Sequence, residues 1–129
     1  GILVEEHVEH VAEIAVGALK DKLLGPIVMV GLGGYIVELL EDTAFRLAPL
    51  TLEEAIEMIK ETRVQKLVEG YRGIKVEPVK LAETIARIGR IVEQLEEIEE
   101  IDINPLAITR EGKLVALDAK IKLNPSKPR

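Results

Sequence analysis

Apolar residues fall in short runs through the first fifty positions and at helical spacing through much of the rest. Ile2–Glu6, Glu13–Leu19 (EIAVGAL) and Pro26–Val30 (PIVMV) each read as a strand, short and bounded by polar, glycine or proline residues. GLGG, Gly31–Gly34, turns the chain. Tyr35–Leu40 fits a short helix or a strand, and Thr43–Ala48 (TAFRLA) reads as a strand stopped by Pro49. The period then changes. Thr51 and Glu54 make the T-x-x-E pattern of a capping box, which predicts a helix to about Lys60 with Ala55, Ile56 and Ile59 on its apolar face and Met58 beside them. A second short helix is expected over Thr62–Glu69, ended by Gly70, and Gly73 marks another turn. Pro78 suits the first turn of a long helix, in which Leu81, Ile85, Ile88, Val92 and Leu95 recur at helical spacing. Two strands close the chain, about Glu100–Thr109 and Lys113–Leu123. Strands, then helices, then a final hairpin predict an α+β fold, a mostly antiparallel sheet with helices packed on one face. One domain over residues 1–123 and a flexible tail over 124–129 are expected, with no internal repeat.

Composition narrows the chemistry. The 129 residues are 47% hydrophobic, yet Tyr35, Phe45 and Tyr71 are the only aromatics, so the core must be built from Ile, Leu, Val and Ala. With no cysteine, disulfides, thiolate metal sites and a cysteine nucleophile are excluded. A net charge of −6 argues against non-specific binding to nucleic acid or to anionic membranes. No apolar run approaches the roughly 18 residues of a membrane span, and no signal peptide is visible, so a cytoplasmic location is expected. The Glu, Lys and Arg content, with cysteine missing, fits a heat-adapted protein. Gly1 opens inside a strand-like run, so a longer polypeptide is expected.

The last two strands carry the candidate chemistry. Arg110, Glu111 and Gly112 make a three-residue loop with glycine in the left-handed position, a common hairpin connection. In that register Thr109 faces Lys113, Asn104 faces Asp118, and Asp102 faces Lys120. Alternation puts Asp102 and Asn104 on one face and Ile101 and Ile103 on the other. Facing Cβ atoms lie about 4.5–5.5 Å apart, close enough for an amide oxygen and a carboxylate to share a hard cation such as Mg²⁺. The alternative is a solvated polar pair. Pro105 suggests a bulge or an edge at this point.

The stretch EIDINPLAITREGKLVALDAKI, Glu100–Ile121, resembles the close of the ATP-grasp domain in nucleotide-dependent acyl-CoA synthetases. These are the ADP-forming acetyl/acyl-CoA synthetase β subunits and, more distantly, succinyl-CoA synthetase β. GPIVMVGLGGYIVELLEDTAFRLAPLTLEEAIEMI, Gly25–Ile59, resembles the ADP-forming branch almost throughout. The resemblance implies the C-terminal lobe of an ATP-grasp domain, with Mg²⁺ and ATP or ADP as cofactors. It implies that Asn104 and Asp118 hold the metal, with Asp102 as a further contact. It also implies that Glu6 and Val8 lie in the hinge whose backbone meets adenine and that Glu13, seven positions after Glu6, meets the ribose hydroxyls, although EHVA stands where the family has a Pro/Gly-rich turn; the alternative is a solvated strand face. GLGG is neither a Walker loop nor a dinucleotide fingerprint; it is a plain turn or, by the resemblance, brings Gly33 and Gly34 N–H groups to an oxyanion. Arg46 either steadies phosphates or pairs with Asp42. Neither His7 nor His10 matches the family's phosphohistidine segment. The first lobe, with its phosphate-binding lysines, and a CoA-binding subunit are the partners implied, together with nucleotide; self-association is left open. On this view the chain is incomplete as a ligase, and the alternative is a non-catalytic subunit-interaction or regulatory module.

Overall fold

The structure, a computed structural model, describes residues 12–32, 42–70, 73 and 76–125. The expected strand Ile2–Glu6, the ambiguous Tyr35–Leu40, both histidines and residues 126–129 lie outside the described residues.

Among the described residues six strands form one antiparallel sheet: β1 Ala12–Asp21, β2 Gly25–Leu32, β3 Thr43–Leu47, β4 Ile98–Ile108, β5 Leu114–Ala116 and β6 Ala119–Leu123. The order is β3-β2-β1-β4-β5, with β6 also paired to β4. Among the described residues three helices, α1 Leu52–Lys60, α2 Val64–Val68 and α3 Pro78–Gln94, cover one face. The predicted class, α+β with helices on one side, is what is observed.

Local chemistry accounts for the helix bounds. Thr51 Oγ1 accepts the Glu54 N–H and Glu54 Oε1 accepts the Thr51 N–H, closing the expected capping box. α2 is shorter than the pattern suggested, because Thr62 is a turn residue: its hydroxyl donates to Ile59 O and accepts the Val64 N–H. Both Asp42 carboxylate oxygens accept the Arg63 N–H, satisfying one donor at the start of α2. α3 begins on Pro78 and stops at Leu95, whose carbonyl accepts from Lys20 Nζ at 2.6 Å, a cation at a helix C-terminus. Leu95, expected on the apolar stripe, is 42% exposed at that end.

The core lies between the sheet and the helices. Ile14, Val16 and Ala18 of β1, Val28 and Val30 of β2, and Ile101, Leu106 and Ile108 of β4 alternate onto the helix side and meet Met58, Ile59, Leu81, Ile85 and Val92. Gly89 lets α3 come close: a Cβ built there would stand 2.5 Å from Val28 Cγ2.

The closing strand differs from expectation. One run over Lys113–Leu123 was predicted; β5 and β6 are separated at Leu117 and Asp118. Leu117 faces Pro105, which has no N–H to donate, so only Leu117 N–H to Pro105 O, at 3.1 Å, is made there. The β1–β4 register slips at the same place, between Ile14↔Leu106 and Val16↔Ile103, so Ala15 stands opposite both Asn104 and Pro105. This is the bulge anticipated from Pro105.

Candidate functional site

Among the described residues the sheet's second face carries no helix, and its residues fall into three rows set by the register. Leu47, Ile27, Leu19, Glu100 and Lys122 form one; Phe45, Met29, Gly17, Asp102 and Lys120 form the next. Thr43, Gly31 and Ala15 lead, across the bulge, to Asn104 and Asp118. The first two rows run from apolar at the β3 edge to charged at β4 and β6, and the third runs from Thr43 through small residues to the polar Asn104 and Asp118. A groove of about 280 Å³ lies along this face, lined by Gly17, Met29 and Phe45 on the apolar side and Glu100, Asp102 and Asn104 on the polar side. Its floor is low because small residues sit at the centre. A Cβ on Gly17 would lie 3.3 Å from Ile101 O, 3.5 Å from Met29 Cε and 3.7 Å from Asp102 Oδ1.

The β4–β5 loop fixes the polar end. Thr109 N–H donates to Lys113 O at 2.9 Å, Gly112 N–H returns to Thr109 O, and Thr109 Oγ1 accepts the Lys113 N–H. Gly112 takes φ 85°, the left-handed position assigned to it from sequence. The Glu111 carboxyl is held below its ordinary value, first by its own backbone N–H and then by the Thr109 hydroxyl. The loop propagates the register: Ile108 faces Leu114, Leu106 faces Ala116, and beyond the break Ile103 faces Ala119 and Asp102 faces Lys120. Between them the Asn104 N–H donates to Asp118 O at 3.1 Å. Asn104 and Asp118 are therefore opposite each other, as the loop length predicted. Asp102 and Asn104 line the same groove, while Ile101 and Ile103 turn to the core.

This donor set is all oxygen, one amide and two carboxylates, which suits a hard divalent cation that keeps water and ligand oxygens in its shell. Among the described residues no three His, Cys, Asp or Glu side chains converge. A cation here would thus take part of its coordination from solvent or ligand.

Glu13 alternates with Ala15 and Gly17 onto the same face, at the far end of β1 opposite the buried Ala107. Arg46 is elsewhere. It faces Val28, so it points to the helix side, where both guanidinium nitrogens bond the Glu61 carboxylate and Nη1 also donates to Phe45 O at 2.8 Å. Glu61 raises the Arg46 pKa, and Arg46 lowers that of Glu61. Its ion-pair partner is therefore Glu61, not Asp42, which is engaged at the start of α2. Glu6, Val8, Gly33 and Gly34 lie outside the described residues. Sequence reasoning passed over Gly17, Met29, Phe45 and Glu100. Glu100 was within reach, since it stands two before Asp102 on the same strand face; the others meet the site only through strand pairing.

Comparison with known proteins places these features. The family model for the ATP-grasp domain matches residues 1–123. The chain is 44% identical over 112 residues to the β subunit of acetate–CoA ligase (ADP-forming) I of Pyrococcus furiosus, covering 86% of this chain and 48% of that one. It is 41% identical over 125 residues to the ADP-forming 4-hydroxybutyrate–CoA ligase of Nitrosopumilus maritimus, 95% of this chain but 18% of that one. Among solved structures, the dinucleotide-forming acetyl-coenzyme A synthetase 1 of Ca. Korarchaeum cryptofilum in complex with coenzyme A and Mg-AMPPCP superposes with a TM-score of 0.78. It shares 42% identity over 88% of this chain and 53% of that chain. Its apo form gives a TM-score of 0.81. The chain thus spans about half the length of the β subunit it matches, and less than a fifth of the longer ligase.

Proposed function

Because the chain belongs to the ATP-grasp family, we propose that it forms the second lobe of a nucleotide site in an ADP-forming acyl-CoA synthetase. The reaction is acyl-CoA with ADP and phosphate giving acid, CoA and ATP, or its reverse. The observation that carries this is the facing of Asn104 and Asp118 across the closing strands, beside a groove with an apolar and a polar half. Asn104 Oδ1 and the Asp118 carboxylate would hold Mg²⁺, with Asp102 adjoining them. Bound there, the ion would supply positive charge against the phosphate oxygens during phosphoryl transfer. The apolar half, Met29 and Phe45, suits the flat base of a nucleotide. Glu13, with Glu6 and the Val8 backbone, is assigned to the ribose and base, and the Gly33–Gly34 N–H groups to an oxyanion. Arg46 is given no role at the nucleotide, because Glu61 holds it on the opposite face.

Among the described residues the groove opens to solvent, and tight ligand sites bury most of the ligand's surface. The isolated chain should therefore bind nucleotide weakly and need the first ATP-grasp lobe and a CoA-binding subunit for turnover. Isothermal titration with Mg-ADP should give no better than millimolar affinity; a micromolar constant would contradict the half-site view. With a first lobe and CoA-binding subunit from a β-type relative added, acyl-CoA-dependent ATP formation should appear, and Asn104→Ala or Asp118→Ala should remove it while the far-ultraviolet circular dichroism spectrum stays unchanged. Full activity in either variant would rule out this metal assignment.

A further inference from the structure

We infer that Lys120 is a phosphate-contacting residue of this lobe, its ammonium binding the polyphosphate of a metal-bound nucleoside diphosphate from the side of the groove next to the Asn104–Asp118 pair. This rests on the nucleotide-lobe assignment above. Three observations converge on it. The register puts Lys120 directly opposite Asp102, the neighbour of Asn104 on the open face. Lys120 is the second residue of β6 and only two residues along the chain from Asp118, so their Cα atoms lie within about 7 Å of each other. Lys120 is exposed, and its ammonium makes no hydrogen bond or ion pair among the described residues. Among the described strand residues, Lys120 and Lys122 are the two basic side chains that the register assigns to this face: Lys20 is at the end of α3 and Arg46 is with Glu61.

The chemistry needs such a group. A polyphosphate bound to one divalent cation remains net negative, and Glu100 and Asp102 in the polar half of the groove, with Asp118 opposite Asn104, are acidic. Without a cation nearby these carboxylates would repel the ligand that the metal is there to hold. Lys120 offsets that charge without displacing a metal ligand. An edge strand also carries lysine simply to block pairing with another chain, and Lys122 measures that alternative. It lies on the same strand and face, one step further from Asn104 and Asp118, with Glu99 3.9 Å away.

The test is an NMR titration of the full ¹⁵N-labelled chain at low ionic strength with Mg-ADP, with adenosine, and with inorganic phosphate plus Mg²⁺, comparing wild type with Lys120→Gln, Lys120→Arg, Lys122→Gln and Asp118→Asn. Lys120→Gln should weaken Mg-ADP binding about three- to fivefold, the range of a solvent-exposed charge contact. It should leave adenosine unchanged, Lys120→Arg should restore most of the loss, and Lys122→Gln should cost less than twofold. Stronger weakening for free phosphate than for Mg-ADP would overturn the assignment to the nucleotide. Equal losses in Lys120→Gln and Lys122→Gln, or an equal loss for adenosine, would overturn a specific role for Lys120. If Asp118→Asn weakens Mg-ADP binding and Lys120→Gln does not, this inference fails alone. If wild type shows no shifts near Asn104 and Asp118 up to tens of millimolar Mg-ADP, or Asp118→Asn leaves them unchanged, the nucleotide-lobe assignment fails and takes this inference with it.

Discussion

Replacing Gly17 separates the groove from the fold. Gly17 sits in mid-strand between Met29 and Asp102, and its φ lies outside the left-handed region, so its backbone does not require glycine. A strand glycine costs roughly 0.5–1 kcal/mol relative to alanine through unfolded-state entropy, which by itself makes Gly17→Ala stabilising. Against that stand the built contacts: 3.3 Å to Ile101 O, tight and set by backbone, and 3.5 Å to Met29 Cε, the free end of a flexible side chain. Only the first resists, and relieving it needs a shift of a few tenths of an ångström. The two effects should nearly cancel, leaving Gly17→Ala within about 1 kcal/mol of wild type. Gly17→Val keeps this balance, adds β-branching that suits a strand, and extends its methyls into the groove beside Asp102. Urea unfolding should give midpoints close to wild type with unchanged slopes for both variants, while Mg-ADP-induced NMR shifts shrink for Gly17→Ala and vanish for Gly17→Val. Wild-type ligand response in Gly17→Val would show that the groove is not the binding surface. A loss of more than about 2 kcal/mol in Gly17→Ala would show that packing, rather than access, accounts for this glycine.

Two further outcomes test the frame that holds the site. Gly89→Ala gains about 1 kcal/mol of helix propensity but drives a Cβ to 2.5 Å from Val28 Cγ2; overpacking of about 2–3 kcal/mol should win, so urea unfolding should show a net loss of about 1–2 kcal/mol that Val28→Ala in the same chain largely relieves, and additive losses would refute the contact. The Asp21 carboxyl is held below its ordinary 3.8, first by the Leu24 N–H and then by the Leu23 N–H, in the turn that joins β1 to β2. A depressed carboxylate contributes stability above its unfolded value and loses it as pH falls through the folded value. The urea midpoint should therefore fall from pH 5 toward pH 3 more steeply in wild type than in Asp21→Asn, and parallel curves would count against the turn.

What the sequence disclosed, and what it did not, follows the range of the interactions involved. The capping box, the proline at the start of α3 and the Arg110–Glu111–Gly112 loop are local, and each was legible with nearly its observed bounds. The loop mattered most, because a short hairpin fixes register, and register alone determines that Asn104 meets Asp118 rather than a neighbour. Arg46 shows the opposite case. Alternation within TAFRL already puts Phe45 and Arg46 on different faces, but which face holds the helices is decided by the pairing of β3 with β2. The guanidinium's partner, Glu61, is fifteen residues on, across a helix. The break between β5 and β6 is intermediate: Pro105 was visible, but its effect falls on Leu117, the residue facing it. The groove was least accessible of all. Its apolar half comes from β2 and β3 and its polar half from β4, and they adjoin only because β1 pairs with both. Gly17, at the centre of β1, reads in the sequence as a weak point in a strand; in the fold it is the place where a side chain would separate the surface suited to a base from the oxygens suited to a cation.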